Sequence, residues 1–268
     1  MKNLKEVYRY VGCKKKTEDI GCADLEIDSR KIKKGDIFVA VCGVHVNGLD
    51  YMKKAQDAGA AAVIYTDGTE PTDSQLEGIT IPVLKLPQKK SLGEFASWYY
   101  DNPSSKLNLI GVTGTNGKST ITWLIAQWLQ HSMCSKCGVL GTLGYGFLPN
   151  LKKSANTTVD AVTLQKLLAE FVNQGARYVA MEVSSIGVCE GRIEGCSFTA
   201  GAFTNLTRDH LDYHKTMENY AQAKENFLSM VPASCLSINV DNKQGELFSQ
   251  NFSNCMVYSC SKDFFSTT

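Results

Sequence analysis

Residues 107–130 constrain the fold more tightly than any other stretch. The apolar run Leu107–Val112 leads into Gly111-Val-Thr-Gly-Thr-Asn-Gly-Lys-Ser-Thr120, and the helix-like segment Ile121–Gln130 follows. A strand, a glycine loop and a helix in that order aim backbone N–H groups at one point and add the partial positive charge of a helix start. Lys118 can then reach a terminal phosphate, and Ser119 can ligate a magnesium ion. The strict G-x-x-x-x-G-K-[ST] pattern is not met, because Val112 stands five residues before Gly117 and Gly111 lies one place further back. A glycine-rich strand-to-helix turn that binds nothing is the competing reading.

The rhythm around the loop extends the argument. Apolar runs at Leu107–Val112, Tyr178–Val183, Thr199–Thr204 and Cys235–Val240 alternate with helix-like stretches, the pattern of parallel βαβ units. One such stretch, Ala161–Gln174, places Leu164, Leu168, Phe171 and Val172 on a single helix face. Upstream, the strand-like runs Ile37–Val41, Ala61–Tyr65 and Ile81–Leu86 alternate with helix-like Tyr51–Gly59 and Leu92–Tyr100. Between the halves, Asp101–Lys106 (DNPSSK) gathers turn formers around a proline, so a linker is expected there. A length of 268 residues suits two such units, a small α/β one over residues 1–103 and a mainly parallel-sheet one over 104–268.

Composition narrows the class of partner. Lys and Arg total 28 against 27 Asp and Glu, so a net charge of +1 exerts no global pull toward nucleic acid or a membrane surface. The ten cysteines are spread too thinly for a disulfide-stapled secreted domain and are expected to be reduced thiols. No signal peptide and no apolar run of spanning length occurs in these residues. A cytoplasmic protein whose partners are met at a built site is expected.

The glycine register Thr113-Gly-Thr-Asn-Gly-Lys-Ser119 is the form seen in the Mur ligases and in folylpolyglutamate synthetase. Asn156-Thr157-Thr158, Met181-Glu-Val-Ser-Ser185, Arg192, Thr204-Asn-Leu-Thr-Arg-Asp-His-Leu-Asp-Tyr-His214 and Tyr220-Ala-Gln-Ala-Lys224 follow in the order and spacing of the MurE branch. Upstream, Asp28-Ser29-Arg30 and Gly35-Asp36-Ile37-Phe38-Val39-Ala40 look like the uridine-nucleotide-binding domain shared by the MurE and MurF branches. The chain thus resembles the Mur ligase family over nearly its whole length. The resemblance implies a small uridine-nucleotide-binding α/β domain followed by a P-loop ATPase domain, the latter incomplete. It also implies that the family's third, C-terminal domain lies outside these residues. The implied reaction is ATP- and magnesium-dependent addition of a diamino acid, meso-diaminopimelate or L-lysine, to the D-glutamate of UDP-N-acetylmuramoyl-L-alanyl-D-glutamate. Rival expectations are a MurF-like or folylpolyglutamate synthetase-like ligase, and a binding module without catalysis.

Such chemistry needs phosphate cradling, a divalent cation and cationic groups over the transferred phosphoryl, because a carboxylate is a poor electrophile until it is phosphorylated. By resemblance Gly114, Thr115, Asn116, Gly117, Lys118, Ser119 and Thr120 bind ATP. Glu182, at the carboxyl end of the run Tyr178–Val183, can reach a magnesium ion, or can cap a helix or form a surface pair. His210 is a metal ligand by resemblance, whereas His214 is expected to be structural. Lys224 holds the i+4 place in the apolar stripe of Tyr220, Phe227 and Leu228, where a bare ammonium is costly unless paired or neutralised. It either snorkels to the surface or, as in the family, is carbamylated into an anionic metal ligand.

The resemblance carries over substrate contacts as well. Ile27, Ser29, Val44, His45 and Val46 match positions holding the UDP part, and Asn156, Thr157, Thr158, Ser184 and Arg192 match those holding the muramoyl dipeptide. Arg192 suits bidentate capture of a carboxylate, while Ser29 and the two threonines equally suit local caps. Three positions depart from the family pattern. Val159 replaces a frequent Pro, Ile186 a frequent His, and Glu190 a usual Gln, turning a donor-capable amide into an acceptor-only carboxylate at a substrate position. His131, Cys134 and Cys137 have metal-like spacing, but no second pair completes a zinc site, so the cysteines are expected to act as small apolar residues. Lys14-Lys15-Lys16 is expected to be a solvated turn.

Overall fold

The computed structural model describes residues 2–13, 20–43, 46–66, 70–89, 91–154 and 156–260, which leaves Lys14–Lys16 outside the described residues. The chain divides into two compact units, Met1–Asn102 with Ala161–Lys166, and Pro103–Asp160 with Leu167–Thr268.

In the first unit helix α1 (Leu4–Tyr10) begins on a capping box, in which Asn3 and Glu6 each accept the other's backbone N–H. Strands β1 (Leu25–Glu26), β2 (Ile37–Ala40), β3 (Ala62–Tyr65) and β4 (Val83–Lys85) form a parallel sheet in that spatial order. Helices α2 (Met52–Asp57), α3 (Asp73–Leu76) and α4 (Leu92–Tyr99) connect or follow them. Every residue of β2 and β3 is buried, and alternate side chains go to opposite faces. Ile37, Val39 and Ile64 pack with Leu4, Val7, Phe95 and Tyr99 from α1 and α4. Phe38, Val63 and Tyr65 pack with Leu49, Met52 and Ala55. A sheet covered on both faces explains why its strands read as continuous apolar runs.

The second unit is built on β5 (Asn108–Thr113), α5 (Lys118–Ser132), β6 (Cys137–Gly141), β7 (Gly144–Phe147), β8 (Asn150–Lys152), the part of α6 (Ala161–Asn173) from Leu167 onward, and β9 (Tyr178–Glu182). It continues with α7 (Ser185–Cys189), β10 (Ala200–Phe203), α8 (Leu211–His214), α9 (Met217–Leu228), β11 (Leu236–Asn239), α10 (Lys243–Asn251) and β12 (Met256–Tyr258). The sheet order is β12-β11-β10-β5-β9-β6-β7-β8, parallel from β12 to β6 and antiparallel through the hairpins to β8. The mainly parallel expectation holds, and the hairpin ribbon is the addition. The periodicity of the sequence does not show that ribbon, because Gly141-Thr142-Leu143-Gly144-Tyr145-Gly146 reads as turn chemistry.

Register decides where the chemistry sits. Val112 of β5 pairs with Glu182 of β9, Thr113 with Phe203 of β10, and Leu140 of β6 with Met181. The carboxyl ends of four neighbouring strands therefore lie level, the edge at which open α/β sheets take their ligands. Behind that edge α9 packs on the sheet through Phe227, whose ring is edge-on to Phe198 at 5.0 Å. The fit is close: a Cβ on Gly111 would come within 2.5 Å of the Phe227 ring. No helix among the described residues is long and apolar enough to cross a membrane.

Phe227 is fully buried. Phe227→Ala is therefore expected to cost about 3–5 kcal/mol, read as a lower urea midpoint with an unchanged slope. A loss below about 1 kcal/mol would show that α9 is not held by this ring.

Candidate functional site

The glycine loop leaves β5 at Thr113 and is braced by the chain leaving β10. Thr115 N–H donates to Asn205 O at 2.9 Å, and Asn116 N–H donates to Asn205 Oδ1 at 3.0 Å. Asn116 O accepts from Thr204 Oγ1 at 2.6 Å and from Asn205 Nδ2 at 3.2 Å. Thr115 Oγ1 accepts from Thr207 N–H at 3.0 Å and lies 3.2 Å from the Tyr220 hydroxyl. Gly114 has φ +145°, and a Cβ there would stand 1.8 Å from Thr204 Oγ1, so only glycine admits the brace. Gly117, at φ +86°, is the N-cap of α5 and offers no side-chain cap to the first helical N–H groups. Lys118 Nζ donates to the carbonyls of Gly114 and Thr115, both at 2.9 Å. Burial lowers the Lys118 pKa, opposed by the carboxylates of Glu182 and Asp209. Asn116 and Thr120 are exposed, and Ser119 is half-buried on the first turn of α5.

Glu182 is 2% exposed, which removes the surface-pair alternative. Its carboxylate accepts from Ser119 Oγ at 2.9 Å and from Thr142 N–H at 2.9 Å, with Thr142 Oγ1 at 3.2 Å. The neighbouring β6 must end in glycine for this: a Cβ on Gly141 would lie 2.2 Å from Glu182 Oε1. Ser119 and Glu182 together offer hard oxygen donors of the kind magnesium takes, and the Ser119 hydroxyl already lies against the carboxylate. The residues present fit that ion.

Lys224 is 1% exposed, so it does not snorkel. Its Nζ lies 4.3 Å above the Tyr220 ring, and no carboxylate is within ion-pairing distance among the described residues. Burial, then the charge of Lys118, push its pKa down to about 7, against a smaller upward pull from Asp209. His214 is buried, shares a 2.9 Å hydrogen bond with Ser185 Oγ, and is held below its ordinary pKa by burial, Lys224 and His210. His210 is half exposed at the left-handed N-cap of α8 (φ 51°), with Nε2 3.6 Å from Asp209 and its ring 6.1 Å from that of Tyr220.

The substrate positions divide by what their side chains already do. Thr158 is buried, and its hydroxyl donates to Glu182 O at 3.0 Å and accepts from Ser184 N–H at 3.0 Å, so that hydroxyl is used within the fold. Ser184 caps α7 by accepting from Gly187 N–H at 3.1 Å. Asn156 is exposed, its carbonyl accepting from Ser154 Oγ at 2.6 Å, and Thr157 is half-buried with its hydroxyl 2.9 Å from that of Thr142. Arg192 donates through Nε and Nη2 to Glu190 and through Nη1 to Thr158 O at 2.6 Å. The Glu190 carboxylate thus engages the guanidinium expected to grip substrate. Ile186 and Val159 are half-buried.

In the first unit Ile27 packs on the core and Ser29 is buried, within a turn clamped by Arg30, whose guanidinium donates twice to Asp28. That pairing holds the Asp28 carboxyl down at about 2. Val46 is exposed, while Val44 and His45 lie outside the described residues.

Cys137 lies buried in β6 with its thiol pushed up to about 11 by burial, as expected of a packing residue. Cys134 corrects the same expectation, because it is exposed after the end of α5 at φ 46°. Sequence reasoning missed Thr142, Gly141, Tyr220's place over Lys224, and Asn205. The signal for the first two was a glycine closing an apolar run, Cys137–Gly141, beside the suspected zinc spacing.

Comparison with known proteins shows the family. Residues 112–266 match the Mur ligase middle domain and residues 23–100 the Mur ligase family catalytic domain. The chain is 45% identical over 230 residues to a UDP-N-acetylmuramoyl-L-alanyl-D-glutamate–2,6-diaminopimelate ligase of Coxiella burnetii, covering 86% of this chain and 46% of the relative. A protein of the same name from Parabacteroides distasonis is 42% identical over 235 residues, covering 87% and 47%. A solved structure of a ligase with that name superposes with TM-score 0.72 at 30% identity, covering 94% of this chain and 51% of the other. MurF from Acinetobacter baumannii shares the fold at TM-score 0.68 and 14% identity, covering 96% and 53%. The chain spans about half the length of the curated relatives it matches.

The buried lysine generates a prediction with a definite sign. Unfolded, Lys224 titrates near 10.5, and folded near 7, so the unfolded chain binds more protons between those values and stability rises with pH across that window. The penalty is fully present below pH 7 and fades above it. In CO2-free buffer Lys224→Met should therefore be more stable than the wild type at pH 6, by on the order of a few kcal/mol, with the gap narrowing toward pH 10. Equal urea midpoints at pH 6 would contradict the burial cost.

Proposed function

Because the chain belongs to the Mur ligase family, we propose that it carries the substrate- and ATP-binding parts of a ligase that extends UDP-N-acetylmuramoyl-L-alanyl-D-glutamate by a diamino acid. The observation that carries this reading is the meeting of Ser119, Glu182 and the glycine loop at one sheet edge, with the buried Lys224 above Tyr220 beside the same loop. The names of these relatives favour 2,6-diaminopimelate over L-lysine as the incoming residue. The first unit, with Ile27, Ser29 and residues 44–46, is proposed as the uridine-nucleotide-binding domain, and the second as the ATP-binding domain. A cytoplasmic location accords with nucleotide-linked substrates.

The chemistry divides among the chain's residues. The D-glutamate side-chain carboxylate attacks the γ-phosphorus of ATP, the bond to ADP breaks, and the incoming amine displaces phosphate from the resulting acyl phosphate. The loop N–H groups and α5's uncapped first turn receive phosphate oxygens, and Lys118 exchanges its two loop carbonyls for a terminal phosphate. Ser119, Glu182 and His210 are the candidates to hold magnesium, which when bound neutralises charge on the transferred phosphoryl. Lys224, with a pKa near 7, presents a substantial fraction of neutral amine at neutral pH. A neutral amine adds to carbon dioxide, releasing a proton and leaving a carbamate anion. The position unsuited to an ammonium then becomes an anionic site over Tyr220, whose hydroxyl meets the glycine loop. Asn156, Thr157, Ser184 and Arg192 are proposed to hold the muramoyl dipeptide, with Thr158 contributing its backbone and Glu190 competing for Arg192.

Calorimetric titration tests the assignment. UDP-N-acetylmuramoyl-L-alanyl-D-glutamate should bind more tightly than the corresponding UDP-tripeptide or a folate, and tighter binding of either alternative would sink the reading. Lys118→Ala should weaken ATP binding about tenfold or more while leaving UDP-dipeptide binding within about twofold. Phosphate release on mixing both substrates with 2,6-diaminopimelate, and its absence with L-lysine, would establish the incoming residue.

A further inference from the structure

Thr142 stands in the two-residue turn between β6 and β7, where three contacts converge on it. Its N–H donates to Glu182 Oε1 at 2.9 Å. Its hydroxyl lies 3.2 Å from Glu182 Oε2 and 2.9 Å from the hydroxyl of Thr157. A hydroxyl has one proton to give, and an ionised carboxylate only accepts. While Glu182 is ionised, Thr142 must donate to Glu182, and Thr157 must donate to Thr142. The direction of the chain is thereby set, from Thr157 through Thr142 to the carboxylate. The backbone supports the arrangement, since glycine at 141 admits Glu182 Oε1 where a Cβ would stand 2.2 Å away.

The two ends of this chain belong to different ligands in the proposed reaction. Glu182 already accepts from Ser119 on the nucleotide side, and Thr157 lies in the segment proposed to hold the muramoyl dipeptide. We propose that Thr142 is a positioning residue that couples the two ligand sites, an inference that rests on the ligase reading above. A substrate oxygen that takes the Thr157 proton withdraws it from Thr142, and a cation at Glu182 removes the acceptor that orients Thr142. Each event changes what the other must displace, and coupling between binding sites is reciprocal. The turn places no other side-chain hydroxyl in this path, because Leu143 follows and Gly144 opens β7.

The test is a thermodynamic cycle on the full chain. The Kd of a non-hydrolysable ATP analogue with magnesium is measured by calorimetry with and without saturating UDP-N-acetylmuramoyl-L-alanyl-D-glutamate, in wild type, Thr142→Val and Thr142→Ser. Wild type should show a change of about fivefold or more between the two conditions. Thr142→Val keeps the backbone N–H, so the first contact to Glu182 survives and the turn is retained. It should bind each ligand alone within about threefold of wild type, and the linkage should fall below about twofold. Thr142→Ser, which restores the hydroxyl, should recover the wild-type linkage. Retention of the full linkage in Thr142→Val, or independent binding of the two ligands in wild type, would overturn the inference while leaving the ligase reading intact. Failure of the wild type to bind either ligand would overturn the ligase reading and the inference together.

Discussion

A buried carboxylate that forms no direct ion pair among the described residues is the constraint from which the rest of the second unit can be understood. Glu182 sits at the carboxyl end of β9 and accepts hydrogen bonds from Ser119 and from the backbone and hydroxyl of Thr142, with the charge of Lys118 close enough to act on it. Unpaired buried charge is costly, and donors lower that cost without cancelling the charge. To bring those donors in, β6 must end in a glycine, β5 must lie level with β9, and α5 must begin one loop later with Ser119 on its first turn. The parallel register, the glycine positions and the helix start are thus consequences of one requirement, an anion held ready at the sheet edge.

The same edge carries a second electrostatic burden of opposite sign. Lys224 is enclosed within α9's apolar face, with the π-face of Tyr220 against its nitrogen and the charges of Lys118 and Asp209 acting on it. His214 shares the enclosure and is itself held toward neutrality by burial and by the charge of Lys224. Tyr220 ties this cluster to the glycine loop, because its hydroxyl meets Thr115 while its ring lies under Lys224. A change of charge state at Lys224 is thereby in mechanical contact with the phosphate loop through one side chain.

Much of this was legible in the sequence, for identifiable reasons. The glycine loop and its flanking strand and helix are local, so spacing alone located them. Glu182 and Lys224 stood out as charges at a strand end and in an apolar stripe, and burial removed the surface pair for the first and snorkelling for the second. Thr158 was legible as a position and not as a role: its hydroxyl serves Glu182 O and Ser184 N–H, partners 24 and 26 residues away that no local pattern reveals. Thr142 was hidden by the turn chemistry of Gly141-Thr142-Leu143-Gly144, which masks strand ends on either side. Asn205 was quoted within a motif, yet its use as a clamp on the Asn116 peptide depends on β10 lying beside β5. Helix α1 is seven residues long and rests on its cap and its packing rather than on periodicity.

Glu190 acts on Arg192 through charge rather than shape. An amide beside Arg192 can give and take hydrogen bonds without competing for the guanidinium's charge. A carboxylate there forms an ion pair, and here Nε and Nη2 both turn to the same oxygen. Any substrate carboxylate approaching Arg192 meets a fork already filled and an anion beside it. Nη1 is held separately by Thr158 O, and Thr158 in turn is bonded to Glu182 O. Arg192 is therefore anchored to the strand end that positions Glu182, and displacement of Glu190 by a substrate would leave that anchor in place. The guanidinium is fixed by one bond to the backbone while the other two are exchangeable, the arrangement suited to trading an internal anion for an incoming one without moving the strand beneath.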